Sequence, residues 1–126
     1  MSETLLFSII ESAGHPDLSA LYQRRKIREV RLPSIRKAIQ ALKQERPGYV
    51  VAEFFYGYGN NYAGANLGNL DVFLASLQKY APDARVIVMV DKQELPYAER
   101  LAERYPIHAV LLQPVGIADV DAVILP

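Results

Sequence analysis

Cysteine and tryptophan are absent from this 126-residue chain, and histidine occurs twice. Without cysteine there is no disulfide-stapled scaffold, no thiolate zinc site and no Cys nucleophile. Net charge is lacking too: 14 basic and 14 acidic side chains cancel, which argues against a general nucleic-acid binder, whose affinity needs a basic surface. Long hydrophobic runs are missing. Apolar runs such as 86–90 and 109–112 fall far short of the roughly 20 residues that span a bilayer. No basic segment precedes the first apolar stretch, as a signal peptide would require, so the expectation is a cytoplasmic protein with no membrane partner. His15 and His108 have no metal-ligand spacing and no serine placed for a triad. Their default roles are a solvated loop side chain and a structural strand residue.

What is present is a 51% apolar composition, enough for one globular domain over residues 1–126 that buries about two thirds of its unfolded surface. Short, nearly continuous apolar runs at 5–10, 49–55, 85–90 and 107–112 are the pattern of parallel strands covered on both faces, and all four read as central. Residues 27–32 set Ile27, Glu29 and Arg31 against Arg28, Val30 and Leu32 on the two faces of an extended chain, which suits a half-exposed edge strand. Helical spacing fills the gaps. Ile35, Ala38, Ile39 and Leu42 follow Pro33, with Pro47 and Gly48 as the stop. Leu67, Leu70, Leu74 and Leu77 make a second stripe, and Leu95, Ala98, Leu101, Ala102 and Tyr105 a third. A shorter helix follows Pro16, and 114–126 leaves room for two or three final turns.

Strict alternation of strand and helix implies right-handed crossovers and an α/β fold, a doubly wound five-stranded parallel sheet. At this size the expected order is the flavodoxin-like 2-1-3-4-5, with its binding crevice at the carboxyl ends of the strands and a shortened last helix. Those ends read Glu11-Ser12, Glu53, Asp91 and Gln113-Pro114.

The element order, an acid ending the first strand, a carboxylate ending the third about forty residues on, and an X-Pro step after the fifth resemble the CheY-like receiver domain of response regulators over almost the whole chain. That family holds magnesium on paired acids after strand 1, phosphorylates an aspartate ending strand 3, and contacts the phosphoryl group with a hydroxyl residue and a lysine. The resemblance implies matching roles here, and most are altered. Glu11 matches one acid, but Ser12 stands at the second, removing a ligand from a hard-cation site. Glu53 takes the phosphoacceptor position; its extra methylene shifts the carboxylate by about 1.5 Å, a severe misplacement for in-line transfer. Asp91 replaces the hydroxyl, Gln113 the lysine, and Val110 the aromatic switch residue of strand 5. The X-Pro bond at Gln113-Pro114 is expected cis, as in receivers.

Independently of the family, Glu11, Glu53 and Asp91 would set three carboxylates at one crevice with no cation on an adjacent strand end. A dianionic phosphoryl group would meet like charge there. The acids are either solvated and without a ligand, or a weak divalent-cation site, with magnesium at Glu11 and Glu53; no firm cofactor is implied.

Residues 56–66 contain Tyr56, Tyr58, Asn60, Asn61 and Tyr62 among three glycines. Gly57 and Gly59 begin like a nucleotide fingerprint, but Tyr62 occupies the third glycine position and the segment follows the wrong strand. The stretch is otherwise a turn-forming loop with Asn66 or Asn69 capping the next helix, or a tyrosine docking surface. Arg24, Arg25, Lys26, Arg28 and Arg31 either guard the edge strand or meet an acidic partner. Tyr97, Arg100 and Arg104 would populate the face made by the fourth helix, fifth strand and fifth helix, where a short last helix leaves apolar surface for a homodimer. The leading expectation is a non-enzymatic pseudo-receiver that binds another signalling protein or a second copy of itself. A phosphoaccepting regulator with an atypical site, or a small-ligand or metal sensor using the 56–66 loop, are the alternatives.

Overall fold

Apolar runs with side chains on both faces of a strand need cover on both faces, and the chain supplies it. The computed structural model describes residues 4–10, 17–56 and 68–124. In order these form β1 (Thr4–Ile9), α1 (Ser19–Arg24), β2 (Ile27–Leu32), α2 (Ile35–Leu42), β3 (Tyr49–Glu53), α3 (Asp71–Tyr80), β4 (Arg85–Val90), a 3₁₀ turn (Lys92–Glu94), α4 (Leu95–Arg104), β5 (Ala109–Leu112) and α5 (Ile117–Val123). The strands make one sheet in the order β2-β1-β3-β4-β5, with every pairing parallel. This is the doubly wound arrangement and strand order that the alternation predicts.

Period-two alternation sorts the strand residues into two cores. Leu5, Phe7 and Ile9 of β1, Val50 and Ala52 of β3, and Val86, Val88 and Val90 of β4 pack with α2, α3 and α4. The intervening Leu6, Val51, Ile87 and Met89 pack with α1 and α5. The second face is covered by two helices of six and seven residues, so α5 is short as expected.

Three details differ from the sequence reading. The last apolar run is not central: β5 is the terminal strand, its first three residues are half-buried and Leu112 is exposed. Pro33 lies before the second helix instead of in its first turn, because Ser34 is the N-cap and accepts from the Lys37 N–H at 3.2 Å. The Leu67 stripe starts late, at Asp71, with Leu70 as an N-cap that has no side-chain bond. No helix among the described residues is long and apolar enough to cross a membrane.

Candidate functional site at the carboxyl edge

Each helix of this fold starts where a strand ends, so the strand-end residues and first helical turns share one edge. Of the acids expected there, Glu53 closes β3 opposite Met89 and is 1% exposed. It is therefore not a solvated strand-end acid: it is buried. Asp91 is exposed, and its carboxylate accepts from the Gln93 N–H at 2.9 Å, which caps the 3₁₀ turn. Lys92 follows it directly, in the 3₁₀ turn. Glu11 and Ser12 lie outside the described residues. Among the described residues no group of three or more His, Cys, Asp or Glu side chains is placed to hold a metal ion. Gln113 is half-buried, its N–H bonds the Val90 carbonyl at 2.9 Å, and the Gln113-Pro114 bond is cis.

Beyond Glu53 the chain is fixed by a residue that sequence reasoning offered only as a helix cap. Asn69 caps nothing in α3. Its side-chain NH2 donates to the Glu53 carbonyl at 2.8 Å, its side-chain oxygen accepts from the Phe55 N–H at 2.7 Å, and its own N–H donates to the Phe55 carbonyl at 3.1 Å. Tyr56 and Gly68 form an antiparallel bridge beside it. A Cβ at Gly68 would fall 2.2 Å from the Phe55 carbonyl and 2.9 Å from the Phe54 ring, so only glycine fits this close approach. The two ends of the 57–67 segment are thus held together, while Tyr58, Asn60, Asn61 and Tyr62 within it lie outside the described residues. The signal for this neck was the run Gly68-Asn69-Leu70-Asp71, turn formers placed just before a helix.

The structure also joins two groups that the sequence kept apart. Tyr56, placed with the loop, stacks on Tyr97, placed with the fourth-helix face: the ring centroids are 3.6 Å apart and the planes 16° from parallel. The Tyr56 N–H donates to the Glu94 carboxylate at 3.2 Å. On the other side of the neck, Asp71 accepts from the Gly68 N–H at 2.8 Å and pairs with Arg104 at 3.5 Å. Both ends of the segment are therefore tied to α4 or its preceding turn. Arg100 is exposed and forms no ion pair with the described residues.

Four large apolar side chains are exposed among the described residues: Tyr56 at 47%, Val72 at 52%, Leu112 at 46% and Ile117 at 47%. All four lie on the carboxyl edge, after β3, in the first turn of α3, at the end of β5 and at the start of α5. The edge expected to be an acidic crevice is lined in good part by apolar groups.

The arginines of the second strand are engaged within the chain. Arg28 pairs with Glu45, and Arg31 bonds Asp17 at 3.1 Å and Ser19 at 2.7 Å. Arg25 holds α5 through Asp121 at 2.8 Å. His108 is exposed at the start of the last strand, with its Nε2 3.1 Å from the Val123 carbonyl; His15 is outside the described residues.

No protein-family model matches the chain, and no curated protein sequence is significantly similar to it. Its structure does have close parallels. A response regulator from Burkholderia pseudomallei, solved with a phosphorylated aspartic acid, calcium ion and citrate, superposes with a TM-score of 0.72 at 18% identity, over 98% of this chain and 67% of that one. A response regulator receiver domain from Clostridium thermocellum gives 0.66 at 15% identity, over 95% and 90%. The pilus assembly protein CpaE of Caulobacter crescentus gives 0.63 at 17% identity, over 96% and 89%. With its strand order, its element sequence and these superpositions, the chain has the CheY-like fold of response regulator receiver domains.

Proposed function

We propose that this chain is a receiver-like signalling or regulatory module that acts by binding a protein partner and transfers no phosphoryl group. One observation carries the reading: the carboxylate at the phosphoacceptor-equivalent position, Glu53, is buried to 1% exposure, while all four exposed large apolar side chains of the described residues stand on the same edge. A group that attacks a phosphodonor must reach it in line. Glu53 is enclosed, Asp91 is committed to its turn, and Gln113 offers no fixed charge to a product. Apolar side chains left in water mark association sites, and Tyr56 stacked on Tyr97 presents the rigid aromatic surface that interface centres favour. The partner is another signalling protein or a second copy.

The test is incubation with acetyl phosphate and magnesium, followed by intact-mass spectrometry. The reading expects no mass gain of one phosphoryl group. An acyl phosphate on Glu53 or on any other residue overturns it and restores the phosphoaccepting alternative.

A further inference from the structure

We infer that the outward face of α2, with the groove between its carboxyl end and that of α3, binds an acidic segment of a protein partner. Its occupancy does not depend on the docking reading above, which rests on Glu53 and the exposed apolar side chains. α2 and the turn after it carry Arg36, Lys37, Lys43 and Arg46, all exposed, against one acid, Glu45, which is paired with Arg28. None of the four forms an ion pair with the described residues. Their placement does not serve the helix. Positive charge is unfavourable in a first turn, where the helix dipole is itself positive, yet Arg36 and Lys37 are the second and third residues of α2 and that turn holds no acid. Three and four residues on, where an acid could pair with them, stand Ile39, Gln40 and Ala41. Cations gathered on one face without counter-charge attract an anionic partner. Lys79, in the last turn of α3, joins them; it lies 5.3 Å from the centroid of the Tyr80 ring and pairs with no acid of the described residues. With Lys43 and Arg46 it rims a groove of about 200 Å³ whose lining includes the buried Leu42 and the half-buried Tyr80. A second groove of about 140 Å³, which Asp83 also lines, shares Arg46 and Tyr80 with the first. The remaining charge decides which anion fits. Setting these five cations aside leaves nine basic and fourteen acidic side chains, so the rest of the molecule is acidic. A nucleic acid or a bilayer presents negative charge over more than this face and would meet that acidic excess as well. A short acidic segment touches the five cations alone, and screening over about 8 Å at physiological salt confines the attraction to them.

Titration of the full chain with decaglutamate, followed through its backbone amide resonances, tests this. The expected result is saturable binding in which the amides of 36–46 and 79–80 shift most. Lys43→Glu combined with Lys79→Glu should weaken binding at least tenfold, and Lys92→Glu, after β4, should leave it unchanged. Arg36→Glu combined with Lys37→Glu separates binding from folding: it sets acids in the first turn and completes a capping box with Ser34. This variant should melt about 2 °C higher while binding the peptide at least tenfold more weakly; a lower melting temperature would show that the two cations serve the fold, and overturns the proposal. No saturable binding overturns it, as do shifts centred on other elements. So does tighter binding of a thymidine oligonucleotide or of phosphatidylserine vesicles than of the peptide, which would make the face a nucleic-acid or membrane surface. Shifts of the same amides on concentrating the chain alone would make the occupant a second copy and overturn it too. If a charge reversal fails to fold, the shifts of the unaltered chain decide. An acyl phosphate formed with acetyl phosphate, which overturns the docking reading, leaves this one standing.

Discussion

Replacing Tyr22 by phenylalanine should make this protein more stable. Tyr22 lies on α1, 1% exposed, among Leu18, Leu21 and the apolar residues of the second core. Its hydroxyl is the one buried side-chain polar atom of the described residues without a hydrogen-bond partner among them. The nearby Glu29 carboxylate is engaged elsewhere, accepting from the Ser19 hydroxyl at 3.4 Å and lying 3.5 Å from the Arg31 guanidinium. A buried hydroxyl left unbonded costs about 1–3 kcal/mol, whereas an apolar group of the same shape escapes that cost. Tyr22→Phe keeps the ring and removes one oxygen, so a gain of about 1–2 kcal/mol is expected at neutral pH, a rise in melting temperature of roughly 4–8 °C for a domain of this size. The alkaline limb offers an independent check. Burial first, then the Glu29 charge, pushes Tyr22 ionisation well above its ordinary 10.0, with Arg31 opposing. A group whose folded pKa is raised contributes stability that is complete below the unfolded pKa and is lost as pH rises past it, by about 1.4 kcal/mol per pH unit for one proton. Urea denaturation from pH 7 to 11 should show the parent losing stability more steeply above pH 10 than Tyr22→Phe. A variant that is less stable at pH 7, with an alkaline limb parallel to the parent's, would show that the hydroxyl is bonded and refute the reasoning.

Lys26 sits at φ 60° between α1 and β2. An L-residue there costs about 1–2 kcal/mol, part of which glycine's looser unfolded chain returns, so Lys26→Gly should stabilise by about 0.5 kcal/mol in the same melts. Gly68→Ala must displace the Phe55 carbonyl or the Phe54 ring and should cost about 1–3 kcal/mol; an unchanged denaturation midpoint would mean that the neck is not tight. Tyr97→Ala removes the stack on Tyr56, about 0.5–1.5 kcal/mol, and should speed amide exchange at Tyr56 and Gly68 while leaving β1 unaffected. Asp17 is held below its ordinary 3.8, chiefly by the Ser19 N–H and then by the Ser19 hydroxyl, with Arg31 assisting. Its contribution should be present above pH 4 and fade as pH falls further, a trend that Asp17→Asn should abolish in an acid titration followed by circular dichroism.

Residues 1–48 carry nine basic and five acidic side chains and the rest of the chain five and nine, so the neutral total is a cancellation of two biased halves. Position in sequence did not reveal how those charges are used. Arg25 reaches Asp121, ninety-six residues away, and Arg104 reaches Asp71, pairs that only a closed fold can form. Three arginines of the basic half, Arg25, Arg28 and Arg31, are thereby engaged in ion pairs within the chain.

Strand order, the two-faced burial of the central strands and the short last helix were legible because they follow from hydrophobic period and element alternation, which are local or set by handedness. The altered receiver positions were legible too, since Ser12, Glu53, Asp91 and Gln113 are residue identities. What the tertiary structure decided is environment. A glutamate at the end of an apolar run reads the same whether its carboxylate meets water or not, and the fold, which sets Glu53 beside Met89 of β4, left it buried. The spacing of Tyr56 and Tyr97 likewise says nothing about contact. Their stack exists because parallel crossovers return the start of α4 to the edge where β3 ends, a meeting fixed by chain topology that no local pattern records.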